Sequence, residues 1–207
     1  MTEPAMAETV LLDHDVEEPN VFTQDMLGWE GWLPPLEEGD LTERHWEALV
    51  QKRRSKMPYF MLLARDPDIL EYRTRTDMDI FHNPDSGLPR AERELAAAAT
   101  SRLNGCIYCA SVHARFAAQY SKRFDEVQRL LDEGVGARID PRWDAIIDAS
   151  VALSETPSRF GPEHVAALRA TGMDDPAIAD AINAIAFFNW ANRLMLSLGL
   201  ATKGNTA

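Results

Sequence analysis

The sequence predicts a single all-α domain of antiparallel helices with an extended N-terminal arm. Three Asp-Pro pairs indicate helix starts, because Asp caps the free amides of a first turn and Pro occupies the first helical position without losing a hydrogen bond. Glycines follow several of the periodic apolar segments, as is typical of helix ends. No alternating run of five or more β-branched or aromatic residues predicts a strand. The three pairs are Asp66-Pro67, Asp140-Pro141 and Asp175-Pro176.

Composition restricts the class of protein. The 207 residues are 45% hydrophobic and 26% charged, which is ordinary for one globular domain. A net charge of −12 disfavours nucleic acids and anionic membrane surfaces as partners. The N-terminus has neither a basic region nor a sustained apolar stretch, so we expect no secretory signal and a cytoplasmic location.

Residues 1–39 are predicted to form an acidic tail followed by an aromatic arm. Residues 1–22 contain six acidic side chains and no Lys or Arg, so we expect a mobile tail. Trp29, Trp32 and Leu33 would be costly to leave in water. We therefore expect the arm to lie across the body of the protein or a neighbouring subunit, with the helical domain covering residues 40–207.

The helices are predicted from their starts and ends. Asp40 and Glu43 can form a capping box, which opens a helix that ends near Ser55. The next helix begins at Asp66-Pro67. The Asn104-Gly105 pair separates two helices at the centre of the chain. The helices on either side of this pair are predicted at about 88–103 and 106–120. Further helices are predicted at about 122–133, 141–155, 162–171 and 176–198.

Cys106, Cys109 and His113 form the clearest candidate site. Their i, i+3 and i, i+4 spacings place all three side chains on one face of a helix within two turns. Two cysteines three positions apart indicate redox or metal chemistry rather than a disulfide scaffold. A helix N-terminus and a nearby base can lower a thiol pKa from about 8.5 to roughly 3.5–7.5. His113 is placed to take the proton of Cys109 directly or through water.

Glu94 precedes this motif on the helix before the Asn104-Gly105 turn. Antiparallel packing of the two helices would bring its carboxylate beside His113, although Glu94 could instead complement the helix dipole. The two cysteines, His113 and Glu94 could formally bind zinc. Three ligands within two turns of one helix would strain a tetrahedral site, however, and no second CxxC or HxxxH is present, so we expect no metal.

Other polar residues give weaker predictions. His82 lies in a turn before the central helices, where it could line the pocket or simply be solvated. Tyr108, inside the CxxC motif, could donate a hydrogen bond or merely pack. Asn189, Asn192 and Arg193 recur at helical spacing in an apolar segment and are predicted to form a buried polar anchor.

The motif of Glu94, Cys106-Ile107-Tyr108-Cys109 and His113 resembles the signature of the AhpD-like, or carboxymuconolactone decarboxylase-related, superfamily over about residues 88–120. Flanking segments such as GWLPP, PYFMLLARDP, TRTDMDIFHNP and FFNWANRLMLSLG resemble its peroxidase-related branch. The resemblance implies an AhpD-like fold that assembles as a homo-oligomer, either a dimer, a trimer or a hexamer. One departure is Tyr108, which stands where the best-known members have a histidine.

The resemblance also implies roles for the site residues. Cys109 matches the peroxidatic thiol and Cys106 the resolving thiol, with His113 and Glu94 as a proton relay. The expected function is reduction of an organic or hydrogen peroxide through a Cys106-Cys109 disulfide. No bound cofactor is expected, and an external thiol or a dihydrolipoyl-type reductant must reopen the disulfide.

Two alternatives remain open at this point. The chain could be a redox sensor or a disulfide reductase without peroxidase turnover. It could also perform decarboxylase-type carbon chemistry on the same fold, although the plain decarboxylases of this superfamily lack the CxxC motif.

Overall fold

A computed structural model of the protein describes Leu12 and residues 14–203. Within this part of the chain the fold is predominantly helical, which confirms the predicted all-α class. Most of the predicted tail, residues 1–11 and 13, lies outside the described residues. No helix in the described part is long and apolar enough to cross a membrane.

The elements follow one another with short connections, three of which contain 3-10 turns. In chain order they are β1 Gly28–Gly31, α1 Glu43–Ala48, α2 Pro58–Leu63, α3 Pro67–His82, α4 Arg90–Leu103, α5 Ile107–Ser121, α6 Phe124–Glu133, α7 Pro141–Ser154, α8 Pro162–Ala170, α9 Asp175–Leu198 and β2 Gly199–Thr202.

Aspartate caps begin three of these helices. The Asp66 side chain accepts a hydrogen bond from the amide of Ile69, and Asp140 accepts from two amides at the start of α7. Both caps are as predicted. At α9 the cap is Asp174, so Asp175 is the first helical residue and the predicted start is one position late.

The first helix differs more from its prediction. Thr42 and His45 form the capping box, in place of Asp40 and Glu43. The helix ends at Ala48 rather than near Ser55, because Val50 adopts a left-handed backbone conformation with φ of 60°. A 3-10 turn, Lys52–Lys56, follows this break.

Two short strands correct the prediction that the chain lacks strands. β1 and β2 pair antiparallel, with Gly28 opposite Thr202 and Gly31 opposite Gly199. Each strand has only four residues, which is too short to show an alternating pattern. The N-terminal arm thus joins the C-terminal end of α9.

The arm packs on its own chain. Trp29 is buried and donates its Nε1 hydrogen to the carbonyl of Met195 at 3.3 Å. Further upstream, the carbonyl of Glu17 accepts a hydrogen bond from the amide of Lys203 at 2.9 Å. Residues 14–22, the end of the predicted tail, therefore continue the arm along the body, and the mobility expected for the tail stays a prediction.

Helix α4 lies at the centre of the core and packs against α5, α7 and α9. Residues 96–99, four consecutive alanines, are fully buried. Alanines on all sides of a helix let its neighbours approach closely. This close packing fixes the position of α5 relative to α4, and with it the candidate site.

Candidate active site

The turn between α4 and α5 sets the position of the two cysteines. Gly105 has a φ of 78°, a left-handed conformation that glycine adopts without a steric penalty. The amide of Cys106 then donates to the carbonyl of Ser101 at 3.0 Å, and Cys106 becomes the N-cap residue of α5. Both thiols therefore lie at the start of α5.

Glu94 and His113 form a buried hydrogen bond between α4 and α5. The His113 Nδ1 atom lies 2.6 Å from Oε2 of Glu94, whose side chain is only 1% exposed. The other carboxylate oxygen accepts from Nε of Arg90 at 3.1 Å. The predicted antiparallel packing is thus confirmed. Because Nδ1 is bound to Glu94, the Nε2 atom of His113 is left for proton exchange.

Aromatic rings hold the imidazole in place. The Phe188 ring centroid lies 4.2 Å from that of His113, at an interplanar angle of 68°, and Phe81 lies 5.0 Å away. These contacts and the bond to Glu94 fix the orientation of the ring.

The two thiols are in direct contact. Their Sγ atoms are 2.6 Å apart, both residues are buried, and no disulfide joins them. A disulfide bond of about 2.05 Å requires only a small further approach. The pair can therefore close and open without moving α5.

The pKa of Cys109 does not follow the prediction, which was a lowered value at the start of the helix. Burial raises the pKa of Cys109 well above its ordinary value, and the contact with Cys106 raises it further. The hydrogen bond between the thiols lowers the pKa of Cys106. Two thiols this close titrate as a unit. The helix N-terminus alone therefore does not make Cys109 a thiolate, and a base must remove its proton.

An amide network supports the turn before Cys106. The buried Asn192 donates to Oγ of Ser101 at 2.9 Å, and Asn104 donates to the side-chain oxygens of Asn192 and Asn189 at 3.0 and 3.1 Å. The predicted polar anchor is confirmed for the two asparagines of α9. Arg193 is exposed and does not take part in the anchor beyond its bonds to Asn189.

Cys109 opens into a cavity of about 150 Å³ between α2, α3, α5 and α9. His113 lines the same cavity, as do Tyr59 and Arg73, two polar residues that the sequence analysis missed. Leu70, Ile80 and Phe81 mark the buried face of α3. Arg73 falls on this apolar face, and that mismatch is the signal that could have identified it.

Cys106 opens into a different cavity, of about 270 Å³, against the N-terminal arm. Trp29 and Trp32 form part of its wall. Tyr108 and Met195 line both cavities and so form the partition between them. The two sulfurs thus face different cavities.

Of the two accessory residues, only Tyr108 lies beside the thiols. His82 is exposed at the end of α3, 3.3 Å from Nη1 of Arg90, and does not line the cavity of Cys109. Of the two alternatives left open for His82, the structure therefore favours the solvated one. Among the described residues, no group of three or more His, Cys, Asp or Glu side chains is arranged to hold a metal ion.

A model of the carboxymuconolactone decarboxylase family matches residues 67–155. This segment runs from α3 to the end of α7 and contains Glu94, Cys106, Cys109 and His113. No curated protein sequence matches the chain.

Solved structures of similar fold cover most of the chain. The alkylhydroperoxidase AhpD core, uncharacterized peroxidase-related protein from Ralstonia eutropha JMP134 is 23% identical with a TM-score of 0.70, over 87% of this chain and 94% of that one. An uncharacterized peroxidase-related protein from Silicibacter sp. TM1040 is 22% identical with a TM-score of 0.63, over 89% and 92%. The debrominase Bmp8 is 18% identical with a TM-score of 0.62, over 79% and 88%.

At these identities the structures establish the fold, and they agree with the resemblance seen in the sequence. The chain therefore has the fold of the AhpD-like, peroxidase-related proteins, and its segment carrying the candidate site matches the carboxymuconolactone decarboxylase family.

Proposed function

We propose that this protein is a thiol peroxidase of the alkylhydroperoxidase type, in which Cys109 attacks the peroxide. The observation that supports the proposal best is the hydrogen bond between Glu94 and His113, in a cavity shared with Cys109, whose sulfur is 2.6 Å from that of Cys106. A carboxylate-oriented imidazole beside a thiol is the arrangement that activates a cysteine nucleophile.

The oxidative half-reaction uses only these four residues and the peroxide. Nε2 of His113 takes the proton of Cys109, and the thiolate attacks the distal oxygen. An S–O bond forms as the O–O bond breaks, and the leaving alkoxide takes the proton back from His113 as alcohol or water. Cys109 is now a sulfenic acid. The thiol of Cys106 attacks its sulfur and expels water, which leaves a disulfide.

The reductive half-reaction requires an external dithiol, for which a dihydrolipoyl-type carrier is our candidate. Its thiolate would attack the sulfur of Cys106 from the cavity beside the arm, and Cys109 would leave as a thiolate. The second thiol of the reductant would then resolve the mixed disulfide. Separate cavities for the two sulfurs support this assignment.

The test is to mix the fully reduced protein with tert-butyl hydroperoxide and measure peroxide and free thiols. We expect one disulfide per peroxide consumed, and continued consumption when excess dihydrolipoamide is present. Thiol oxidation without turnover would identify a redox sensor, and reduction of disulfides without peroxide consumption a disulfide reductase. If neither thiol oxidises, redox function is excluded and decarboxylase-type chemistry becomes the leading alternative.

Single cysteine variants assign the roles. Cys109→Ser should abolish peroxide consumption. Cys106→Ser should stop at a sulfenic acid on Cys109 that dimedone traps and mass spectrometry locates. Trapping on Cys106 in the Cys109→Ser variant, with loss of reactivity in Cys106→Ser, would mean that the two roles are reversed.

A further inference from the structure

Arg73 is a buried cation whose hydrogen-bonding capacity is largely unused. Its side chain is 8% exposed, and among the described residues neither Nε nor Nη1 has a hydrogen-bond partner at good geometry. The carboxylate of Asp77 lies 3.5 Å from Nη1, which is an ion-pair distance but too long for a good hydrogen bond. Buried donors without acceptors are costly, so a position of this kind calls for an explanation.

Aromatic rings hold the guanidinium without occupying its donors. Its central carbon lies 5.2 Å from the ring centroid of Phe187, 5.5 Å from Phe60 and 5.8 Å from Tyr59. Such cation–π contacts stabilise the charge from its faces. The N–H groups at the edge of the plane stay available for an acceptor.

Tyr59 provides a second unused donor in the same place. Its hydroxyl is buried beside the Arg73 guanidinium and, within the described part of the chain, makes no hydrogen bond of good geometry. Burial raises the pKa of Tyr59 to about 12, so the hydroxyl keeps its proton at neutral pH. The ring is fixed edge-on against Trp29, with centroids 5.3 Å apart. The donor is thus held in position before any ligand arrives.

Both residues line the 150 Å³ cavity into which Cys109 and His113 open. Apart from His113, Arg73 is the cationic side chain of this lining, and its acidic neighbour Asp77 lines the same cavity. The reaction of a thiolate with a hydroperoxide transfers negative charge to the leaving oxygen. Donors fixed beside that oxygen stabilise the charge where it develops.

We propose that Arg73 and Tyr59 form an oxyanion site beside Cys109, which binds small oxyanions and carboxylates and receives the oxygen that leaves a hydroperoxide. The second part rests on the peroxidase function proposed above. The site holds the proximal oxygen while the O–O bond breaks. His113 still supplies the proton that completes the alcohol or water, so Arg73 and Tyr59 bind and stabilise without themselves transferring a proton.

The site can be tested without peroxide, using two alkylating reagents of similar size. Iodoacetate carries a carboxylate and iodoacetamide does not. In a Cys106→Ser background, which leaves one thiol, we expect Cys109 to show a higher iodoacetate-to-iodoacetamide rate ratio than a small free thiol. Arg73→Met should lower this ratio about tenfold or more, since it removes a charge-assisted hydrogen bond. Mass spectrometry locates and times the alkylation.

Arg75→Gln is the matched control. Arg75 lies two residues further along α3, is exposed and pairs with Glu71. Arg75→Gln removes one positive charge from α3 but none from the cavity. The iodoacetate-to-iodoacetamide rate ratio should therefore stay unchanged. Arg73→Lys, which keeps the charge without the planar fork, should restore part of the ratio. An equal drop in both Arg73→Met and Arg75→Gln would reduce the effect to long-range charge and overturn the site.

Stability separates a binding role from a structural one. Replacing a poorly paired buried Arg with an apolar residue of similar length should leave the melting temperature unchanged or raise it. If Arg73→Met lowers the melting temperature and slows both reagents alike, Arg73 is structural and the proposal fails. Should this variant not fold, Tyr59→Phe decides the matter, because it keeps the ring and removes only the hydroxyl. An unchanged ratio in Tyr59→Phe would then contradict the site.

The two proposals fail independently. If the protein consumes peroxide but Cys109 shows no preference for the carboxylate reagent, the peroxidase proposal stands and the oxyanion site is refuted. If the carboxylate preference depends on Arg73 but the protein does not consume peroxide, the oxyanion site stands and the peroxidase proposal is refuted.

Discussion

At the scale of single residues, burial raises the pKa of Cys109, and the proposed reaction therefore depends on a base that accepts its proton. Since burial disfavours the Cys109 thiolate, the thiol reacts at neutral pH only if a neighbour accepts its proton. His113, oriented by Glu94 and lining the same cavity, is the candidate acceptor.

We expect His113→Ala to slow oxidation of Cys109 at pH 7 by about 100-fold, the range typical of general-base loss. The deficit should shrink as pH rises through the raised pKa of Cys109, because hydroxide then removes the proton. Second-order rate constants with tert-butyl hydroperoxide from pH 6 to 10 measure both effects. His82→Ala, at an exposed histidine, should behave as the wild type. A deficit that is constant with pH would make His113 a packing residue.

The residues of the site were only partly predictable. The spacing of Cys106, Cys109 and His113 brings them together because α5 carries Cys109 and His113 and has Cys106 as its N-cap. Antiparallel packing made Glu94 a candidate neighbour of His113, but its place in the relay came only from the family resemblance. Arg73 lies on another helix, and no local spacing relates it to the CxxC motif. Only the fold brings α3 against α5.

At the scale of secondary structure, the Asp66 and Asp140 caps were predictable because each is a local interaction between a side chain and the next amides. The two strands were not, since each acquires its partner from the opposite end of the chain. The early end of α1 was missed because nothing in the sequence marks Val50 for a left-handed conformation.

Asp140→Ala, at the N-cap of α7, should lower the free energy of unfolding by about 1 kcal/mol at pH 7. Burial opposes ionisation of Asp140, but the amides of Trp143 and Arg142 and the Arg123 guanidinium outweigh it and lower its pKa. This charge-dependent stability is present above the unfolded-state pKa and is lost as pH falls through the folded-state value. The variant and the wild type should therefore converge in acid.

Urea unfolding at pH 7 and at successively lower pH measures this difference. Asp148→Ala is the control, since Asp148 is on the same helix but only pairs with Arg138 at the surface. A difference between Asp140→Ala and wild type that grows in acid would contradict the assignment.

Gly199→Ala should detach the arm from the body. A Cβ at position 199 would lie 2.0 Å from the carbonyl oxygen of Glu30 and 2.5 Å from the Trp29 ring. We expect a loss of roughly 1–3 kcal/mol in unfolding free energy, together with a red-shifted tryptophan emission. Gly136→Ala, where the added Cβ meets no atom within 4 Å, provides the control. Unchanged emission in Gly199→Ala would show that Trp29 stays buried without the β1–β2 pairing.

At the scale of the whole molecule, the order of the helices from α3 to α9 follows from the sequence, but the way the arm closes on α9 does not. β1 and β2 pair although almost the whole chain separates them, and Trp29 of β1 lines the cavity of Cys106. The prediction that the arm packs on the body was correct. Its pairing with the C-terminal strand could be seen only in the structure.

The size of the Cys109 cavity predicts a preference among hydroperoxides. Its volume of about 150 Å³ is little more than half the 270 Å³ of the cavity beside Cys106. Hydrogen peroxide and tert-butyl hydroperoxide should fit, and we expect them to react faster than cumene hydroperoxide. Rate constants for oxidation of Cys109 by each peroxide measure the order.

Val112→Ala, which removes two methyl groups from the cavity wall, should bring the cumene rate closer to the others. Val165→Ala, outside this cavity, should not. Faster reaction of cumene hydroperoxide in the wild type would show that peroxides reach Cys109 by a wider route.

The partition formed by Tyr108 and Met195 has a kinetic consequence. The dithiol would react at Cys106 and the peroxide at Cys109, each from its own cavity, so the two reagents would not compete for one binding site. In steady state, kcat/KM for peroxide should then stay constant as the dithiol concentration rises, and kcat/KM for the dithiol should stay constant as the peroxide concentration rises. A single shared entrance would instead make each reagent a competitive inhibitor of the other.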